Sequence, residues 1–175
     1  SFCNYNYARS LYYIYEKEEK DYFRSEAINI LEGIIDKDED FPLSYYELGI
    51  IYSKEENYNK AYLYFEKAIE RVDDDLVKEE IREYMRNIYP SVLLERALEK
   101  LNKGRLDDSL ELLNEAKLIS DTAVVNYYLG AVHEAQGRVD LGIDYYKESI
   151  EKGGNFRELY QDLAIAYYKM SKPLL

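Results

Sequence analysis

The sequence has almost nothing with which to build a covalent or metal-held framework. One residue is cysteine (Cys3), one is histidine (His133), and tryptophan is absent from the 175. A single thiol excludes a disulfide framework and a multi-thiolate zinc site. A single imidazole cannot assemble a histidine-rich metal centre. The 3 prolines and 8 glycines are scattered, so few positions force the chain to break. No apolar run approaches the ~18 residues of a membrane span, which argues against membrane insertion. Basic residues are in deficit: 23 Lys and Arg stand against 35 Asp and Glu, for a net charge of −12. Phosphate affinity comes from Lys and Arg, so this balance argues against nucleic acid as a partner. The opening Ser1-Phe2-Cys3-Asn4-Tyr5 lacks the basic head and apolar middle of a signal peptide. Phe2 is bulky where a lipid-modified cysteine wants a small neighbour, so Cys3 reads as a free thiol. Nothing fixes a compartment, and the cytoplasm is the default expectation.

Hydrophobic residues make up 47% of the chain and 21 residues are tyrosine, too much apolar matter for disorder. No stretch alternates apolar and polar, and no Asn-Gly or Asp-Gly turn suggests a hairpin. Apolar residues recur instead at helical spacing, which predicts an all-α chain with short turns. The clearest unit runs from Pro42 to about Asp75. Its first helix carries Tyr45, Leu48, Gly49 and Tyr52, and its second Ala61, Phe65 and Ala68, each set on one helical face. Glycine inside a helix costs about 1 kcal/mol against alanine. Gly49 therefore predicts close approach of a second helix, with Phe65 as the knob between two alanines.

These residues resemble the tetratricopeptide repeat, W-x2-L-G-x2-Y followed by A-x3-F over 34 residues. Here the motif reads Tyr45-x2-Leu48-Gly49-x2-Tyr52 and Ala61-x3-Phe65, with Tyr for Trp. It recurs as Asn126-x2-Leu129-Gly130-x2-His133 with Gly142-x3-Tyr146, and as Tyr160-x2-Leu163-Ala164-x2-Tyr167. Gly130 and Ala164 are 34 residues apart. One period before Gly49 lies Tyr15, in a degenerate copy whose second helix offers Ala27-x3-Leu31. Gly49 and Gly130 are 81 residues apart, two periods plus 13. One repeat with an insertion should separate them: Leu93-x3-Ala97, the turn Gly104-Arg105-Leu106, then Ser109-x3-Leu113-x2-Ala116. The surplus, Leu76 to Tyr89, places Val77, Ile81, Tyr84, Met85 and Ile88 on one face of a further helix. Pro90 must end or kink it; two helices and one long bent helix both fit.

The resemblance implies an all-α, right-handed superhelix of antiparallel helix pairs, a solenoid of about four repeats plus a terminal half-repeat or capping helix. The expected units in one domain, 1–175, are 8–41, 42–75, 90–122 after the extra segment 76–89, 123–156, and a terminal helix over 157–171. In that helix Tyr160, Leu163, Tyr167 and Met170 are expected to pack inward. Stacking of units is also what the physics demands, because a lone helix pair of this pattern cannot bury its apolar faces.

No residue set supports catalysis, and no cofactor is expected. His133 takes the slot of Tyr52 and Tyr167 and is read as interior packing rather than as a base beside a nucleophile. Asp36-Lys37-Asp38-Glu39-Asp40 with Glu47 comes near a calcium-loop pattern, but Phe41 replaces the essential glycine. Those carboxylates, and Asp73-Asp74-Asp75, read as helix caps. Gly153-Gly154 reads as a turn between units.

First helices of such repeats line a concave groove. The residues expected to face it are Tyr12, Tyr46, Ile50, Leu94, Leu98, Tyr127, Ala131, Ile165 and Tyr168. Tyrosine there supplies contact area with a hydrogen-bonding tip. The groove lacks the Lys and Asn with which some family members grip a carboxylate terminus: Tyr46 and Ile50 stand in those places. The expected function is a non-catalytic scaffold holding a peptide or helix of a partner protein, basic or apolar in character. The alternative is an assembly module that forms homo-oligomers through its extra or terminal helix.

Overall fold

The computed structural model describes residues 1–37 and 41–171. Nine helices and no strand are found among them: α1 (Phe2–Glu18), α2 (Asp21–Ile35), α3 (Pro42–Lys54), α4 (Tyr58–Arg71), α5 (Asp75–Asn102), α6 (Leu106–Ile119), α7 (Ala123–Ala135), α8 (Val139–Glu151) and α9 (Arg157–Ser171). The expected helical hairpins are present. Of the acidic stretch ahead of α3, Asp38, Glu39 and Asp40 lie outside the described residues, as do Lys172, Pro173, Leu174 and Leu175.

Local chemistry starts and stops these helices. Pro42 opens α3, where its missing N–H costs nothing. The Asn57 side chain accepts from the Lys60 N–H at 3.4 Å, and Thr122 accepts from that of Val125 at 3.3 Å. Asp74 does the same ahead of α5, taking the Leu76 and Val77 N–H groups at 2.8 and 3.3 Å, as its acidic run led us to expect. Gly104 and Gly137 precede α6 and α8 with φ of 72° and 81°. Glu56 fills the same place before α4 at φ 57°, a region costly for any residue with a Cβ.

The chain divides into two compact units, Ser1–Tyr89 and Pro90–Leu175. In the first, α1 packs on α2, α2 on α3 and α3 on α4, around the fully buried Leu31, Leu48, Ile51, Phe65 and Ile81. In the second, α6 packs on α7, α7 on α8 and α8 on α9, around Val92, Leu93, Leu113, Leu129, Val132, Tyr146 and Leu159. Burial of each such side chain stabilises by roughly 1.5–3 kcal/mol. The segment around Pro90 is one helix rather than two: α5 runs from Asp75 to Asn102 with Pro90 inside it.

Both motif glycines meet the neighbour the motif anticipates. A Cβ on Gly49 would stand 2.6 Å from the Phe65 ring, and one on Gly130 would stand 2.6 Å from the Tyr146 ring. Tyr45, Tyr52, Ala61 and Ala68 are buried, and so is His133, whose ring stacks on Tyr145 at 5.2 Å. In the place of Tyr45, the second unit buries Asn126 instead. Its amide oxygen accepts from Lys117 at 2.6 Å, and its nitrogen donates to Asp121 at 2.6 Å and to the Thr122 carbonyl at 2.9 Å.

The expectation for α9 needs correction. Leu163 is half-buried, but Tyr160, Tyr167 and Met170 are 46%, 47% and 56% exposed. The buried residues are Leu159 and Ala166. They correspond, 34 positions on, to Val125 and Val132, which are also buried. The register is therefore kept, and the two sides of the helix differ in their cover. The side facing α8 is packed. The side that α8 covers on α7 has no such helix against it among the described residues.

Candidate protein-binding surface

In the first unit α1, α3 and the start of α5 enclose a cavity of about 700 Å³. Three expected groove residues line it: Tyr12 from α1, and Tyr46 and Ile50 from α3. Tyr84 of α5 closes one side, and Tyr13, Arg9, Glu47 and Lys54 complete much of the rest. Tyr12 is buried, whereas Tyr46 and Ile50 are half-buried. Tyr46 and Ile50 are four apart on one helix and so share its face.

The aromatic floor is anchored to the packing knob of the repeat. The ring centroid of Tyr46 lies 6.0 Å from that of Phe65 and 6.2 Å from that of Tyr84. Tyr84 in turn stacks on Phe65 at 5.8 Å. The ring that seals the gap at Gly49 therefore also supports the cavity floor. The Tyr46 hydroxyl donates to Glu80 at 2.7 Å. Burial first, and then the Glu80 carboxylate, push that hydroxyl well above its ordinary pKa, so Tyr46 stays a donor at physiological pH.

Charges on the wall between α1 and α3 are already matched. Arg9 pairs with Glu47 at 3.3 Å, and Lys54 pairs with Glu16. Lys54 also lies 5.6 Å over the Tyr12 ring. Burial pushes the Glu47 carboxyl upward, with Arg9 opposing. The surface thus offers a neutral aromatic floor on this side, suited to apolar groups.

In the second unit the expected residues are more dispersed. Tyr127 and Ala131 are half-buried on α7 and pack on the cluster of Ile143, Tyr146, Leu159 and Ala166. The Tyr127 hydroxyl donates to Asp162 at 2.8 Å, and its ring meets Phe156 edge-on at 5.1 Å. Burial, then Asp162, raise its pKa as for Tyr46. Leu94 and Leu98 are half-buried on α5, and Ile165 and Tyr168 are exposed on α9.

Sequence reasoning missed Tyr84, Glu80 and Lys54 as parts of the surface. Tyr84 falls on the apolar face of the extra segment and so reads as core, yet it is 40% exposed. The available signal was the neighbouring stripe Glu80, Tyr84 and Asn87, spaced four and three apart.

Residues 42–74 match the model of the tetratricopeptide repeat. In sequence, no curated protein matches the chain. Among solved structures, two of the protein MamA resemble it. One superimposes with a TM-score of 0.52 at 17% identity, over 88% of this chain and 82% of that one. The other does so with a TM-score of 0.53 at 17% identity, over 94% and 82%. At that identity the likeness speaks for the fold alone. One unit, residues 42–74, is thus a tetratricopeptide repeat by sequence, and its glycine-and-ring packing is repeated at Gly130 and Tyr146.

Proposed function

We infer that this protein is a non-catalytic scaffold for protein–protein interaction, and that the surface of the first unit holds a peptide or helix of a partner. The observation that carries this reading is the cavity between α1, α3 and α5, floored by Tyr12, Tyr46 and Tyr84. Side chains already ordered by packing lose little freedom on binding, and aromatic anchors in such pockets supply most of the affinity of an interface. The test is titration of the protein with partner peptides recovered by cross-linking, followed by fluorescence anisotropy. Tyr46→Ala together with Ile50→Ala should weaken binding about tenfold or more, or about 1.4 kcal/mol. Unchanged affinity in that variant assigns the binding elsewhere, with Tyr127→Ala as the next position to examine.

A second reading, self-association, is favoured by one feature: the side of α9 that no helix among the described residues covers, with Tyr160, Tyr167 and Met170 exposed. Light scattering over a concentration series tests it. A constant monomer mass removes it, and a dimer that Tyr167→Lys dissociates supports it.

A further inference from the structure

We propose that the partner segment held by the first unit is basic, and that one of its Lys or Arg side chains seats on the Tyr84 ring between Glu80 and Glu83. This rests on the scaffold reading above and names the chemistry of its occupant.

The first observation is the distribution of charge around Tyr84. On the α1–α3 side of the ring, each carboxylate of the wall has a cation: Arg9 on Glu47 and Lys54 on Glu16. A second depression, of about 340 Å³, is lined by Glu80, Glu83, Tyr84 and Asn87. The arginines of this stretch of α5 turn away from it. Arg82 and Arg86 both pair with Glu79, at 3.4 and 3.0 Å. Among the described residues neither Glu80 nor Glu83 has a cation within ion-pair distance. The depression therefore sets a pair of carboxylates and an amide beside an aromatic ring, and Tyr84 lines both it and the larger cavity.

The second observation is how this chain treats its tyrosines. In the first unit, six rings already carry an internal cation: Tyr5, Tyr12, Tyr13, Tyr45, Tyr52 and Tyr64. The approaches run from 4.7 Å for Lys60 over Tyr52 to 5.7 Å for Lys67 over Tyr64. Tyr84 has two carboxylates beside it and no cation over it among the described residues. One of its faces rests on Phe65, and the ring is 40% exposed. A ring quadrupole and two nearby carboxylates attract the same ligand, an ammonium or guanidinium group. Apolar neighbours of that cation along the partner would then meet Tyr46 and Ile50.

The test uses two fluorescein-labelled synthetic helical peptides with the same leucine spacing, one carrying Lys and the other Gln at its polar positions. Each is titrated with the full chain at physiological salt, where a Debye length of about 8 Å suppresses general attraction to an acidic protein. Three variants accompany the wild type. Glu80→Gln with Glu83→Gln removes the charges while Gln keeps an acceptor for Tyr46. Glu66→Gln with Glu111→Gln removes as much charge from exposed positions elsewhere. Tyr46→Ala probes the floor.

The Lys peptide should bind about tenfold tighter than the Gln peptide, a difference of about 1.4 kcal/mol. The Glu80/Glu83 variant should abolish that preference, and the Glu66/Glu111 variant should keep it. If the two peptides bind equally and Tyr46→Ala weakens both, the groove stands and the basic occupant is refuted. If the preference survives the loss of Glu80 and Glu83, or falls equally with Glu66 and Glu111, the attraction is that of the whole acidic surface and the proposal is wrong. If neither peptide binds, the proposal and the groove reading fall together.

Discussion

A left-handed backbone at Glu56, with φ 57°, sits where the turns before α6 and α8 place Gly104 and Gly137. An L-residue with a Cβ loses roughly 1–2 kcal/mol there, whereas glycine does not. Part of that gain is returned through the freer unfolded chain. Glu56→Gly should therefore raise stability by about 0.5–1 kcal/mol in urea unfolding. An unchanged or lowered midpoint would show that the turn is not strained. Gly49 poses the opposite case. A methyl group there meets the Phe65 ring at 2.6 Å, and Phe65 is held in turn by Tyr46 and Tyr84. Gly49→Ala should cost about 1–3 kcal/mol through overpacking and should disturb the cavity floor as well. His133 offers a pH test at the same scale. Burial depresses its pKa below the ordinary 6.5, and Arg138 adds to this. Its Nδ1 is buried without a hydrogen-bond partner among the described residues. The unfolded chain then binds its proton more readily, so the contribution of the neutral ring is full above about 6.5 and is lost as pH falls below it. His133→Tyr, which restores the residue type of Tyr52, should flatten the decline in melting temperature between pH 7.5 and 5.5. An identical decline in both proteins would assign it to other groups.

At the scale of elements, the start of α5 hangs on Asp74, which accepts two backbone N–H groups. Asp74→Ala should cost about 1 kcal/mol. Because the same turn positions Glu80 and Tyr84 two turns later, hydrogen exchange should quicken in 75–84 more than in α3. Uniform exchange would mean that packing of Ile81, not the cap, fixes that end. The helices themselves were legible in the sequence because Gly49, Phe65 and their partners form a period that only a helical hairpin satisfies. The fate of α9 was not legible from the same motif. Tyr160 and Tyr167 repeat the spacing of Tyr45 and Tyr52, but spacing records which face a residue shares and not whether anything covers it. Tyr45 and Tyr52 have α4 against them, and the described residues give Tyr160 and Tyr167 no such helix. The continuity of α5 through Pro90 was equally open, since proline removes one hydrogen bond from a helix without dictating whether it stops. Tyr84 was hidden for a related reason. Its place beside Ile81 and Ile88 on an apolar stripe predicts burial, and only its three-dimensional surroundings show a ring that rests on Phe65 and meets Tyr46 yet stays 40% exposed.

At the scale of the whole molecule, charge sets the kinetics of any encounter. A net charge of −12 raises the local concentration of cationic partners around the chain, and salt screens this beyond a Debye length of about 8 Å at physiological strength. The proposed aromatic floor would act only at contact, where screening is weak. The two contributions should therefore separate in time. For a lysine-bearing peptide, stopped-flow mixing should show the association rate falling about tenfold or more between low and high salt. The dissociation rate should change far less. Tyr46→Ala should do the reverse, speeding dissociation while leaving association nearly as it was, because it removes contact and no charge. The Glu66/Glu111 variant should slow association slightly and leave dissociation alone. A Tyr46→Ala variant that altered only association would show that the floor is not the contact surface, and a salt-independent association rate would show that the acidic surface does not steer.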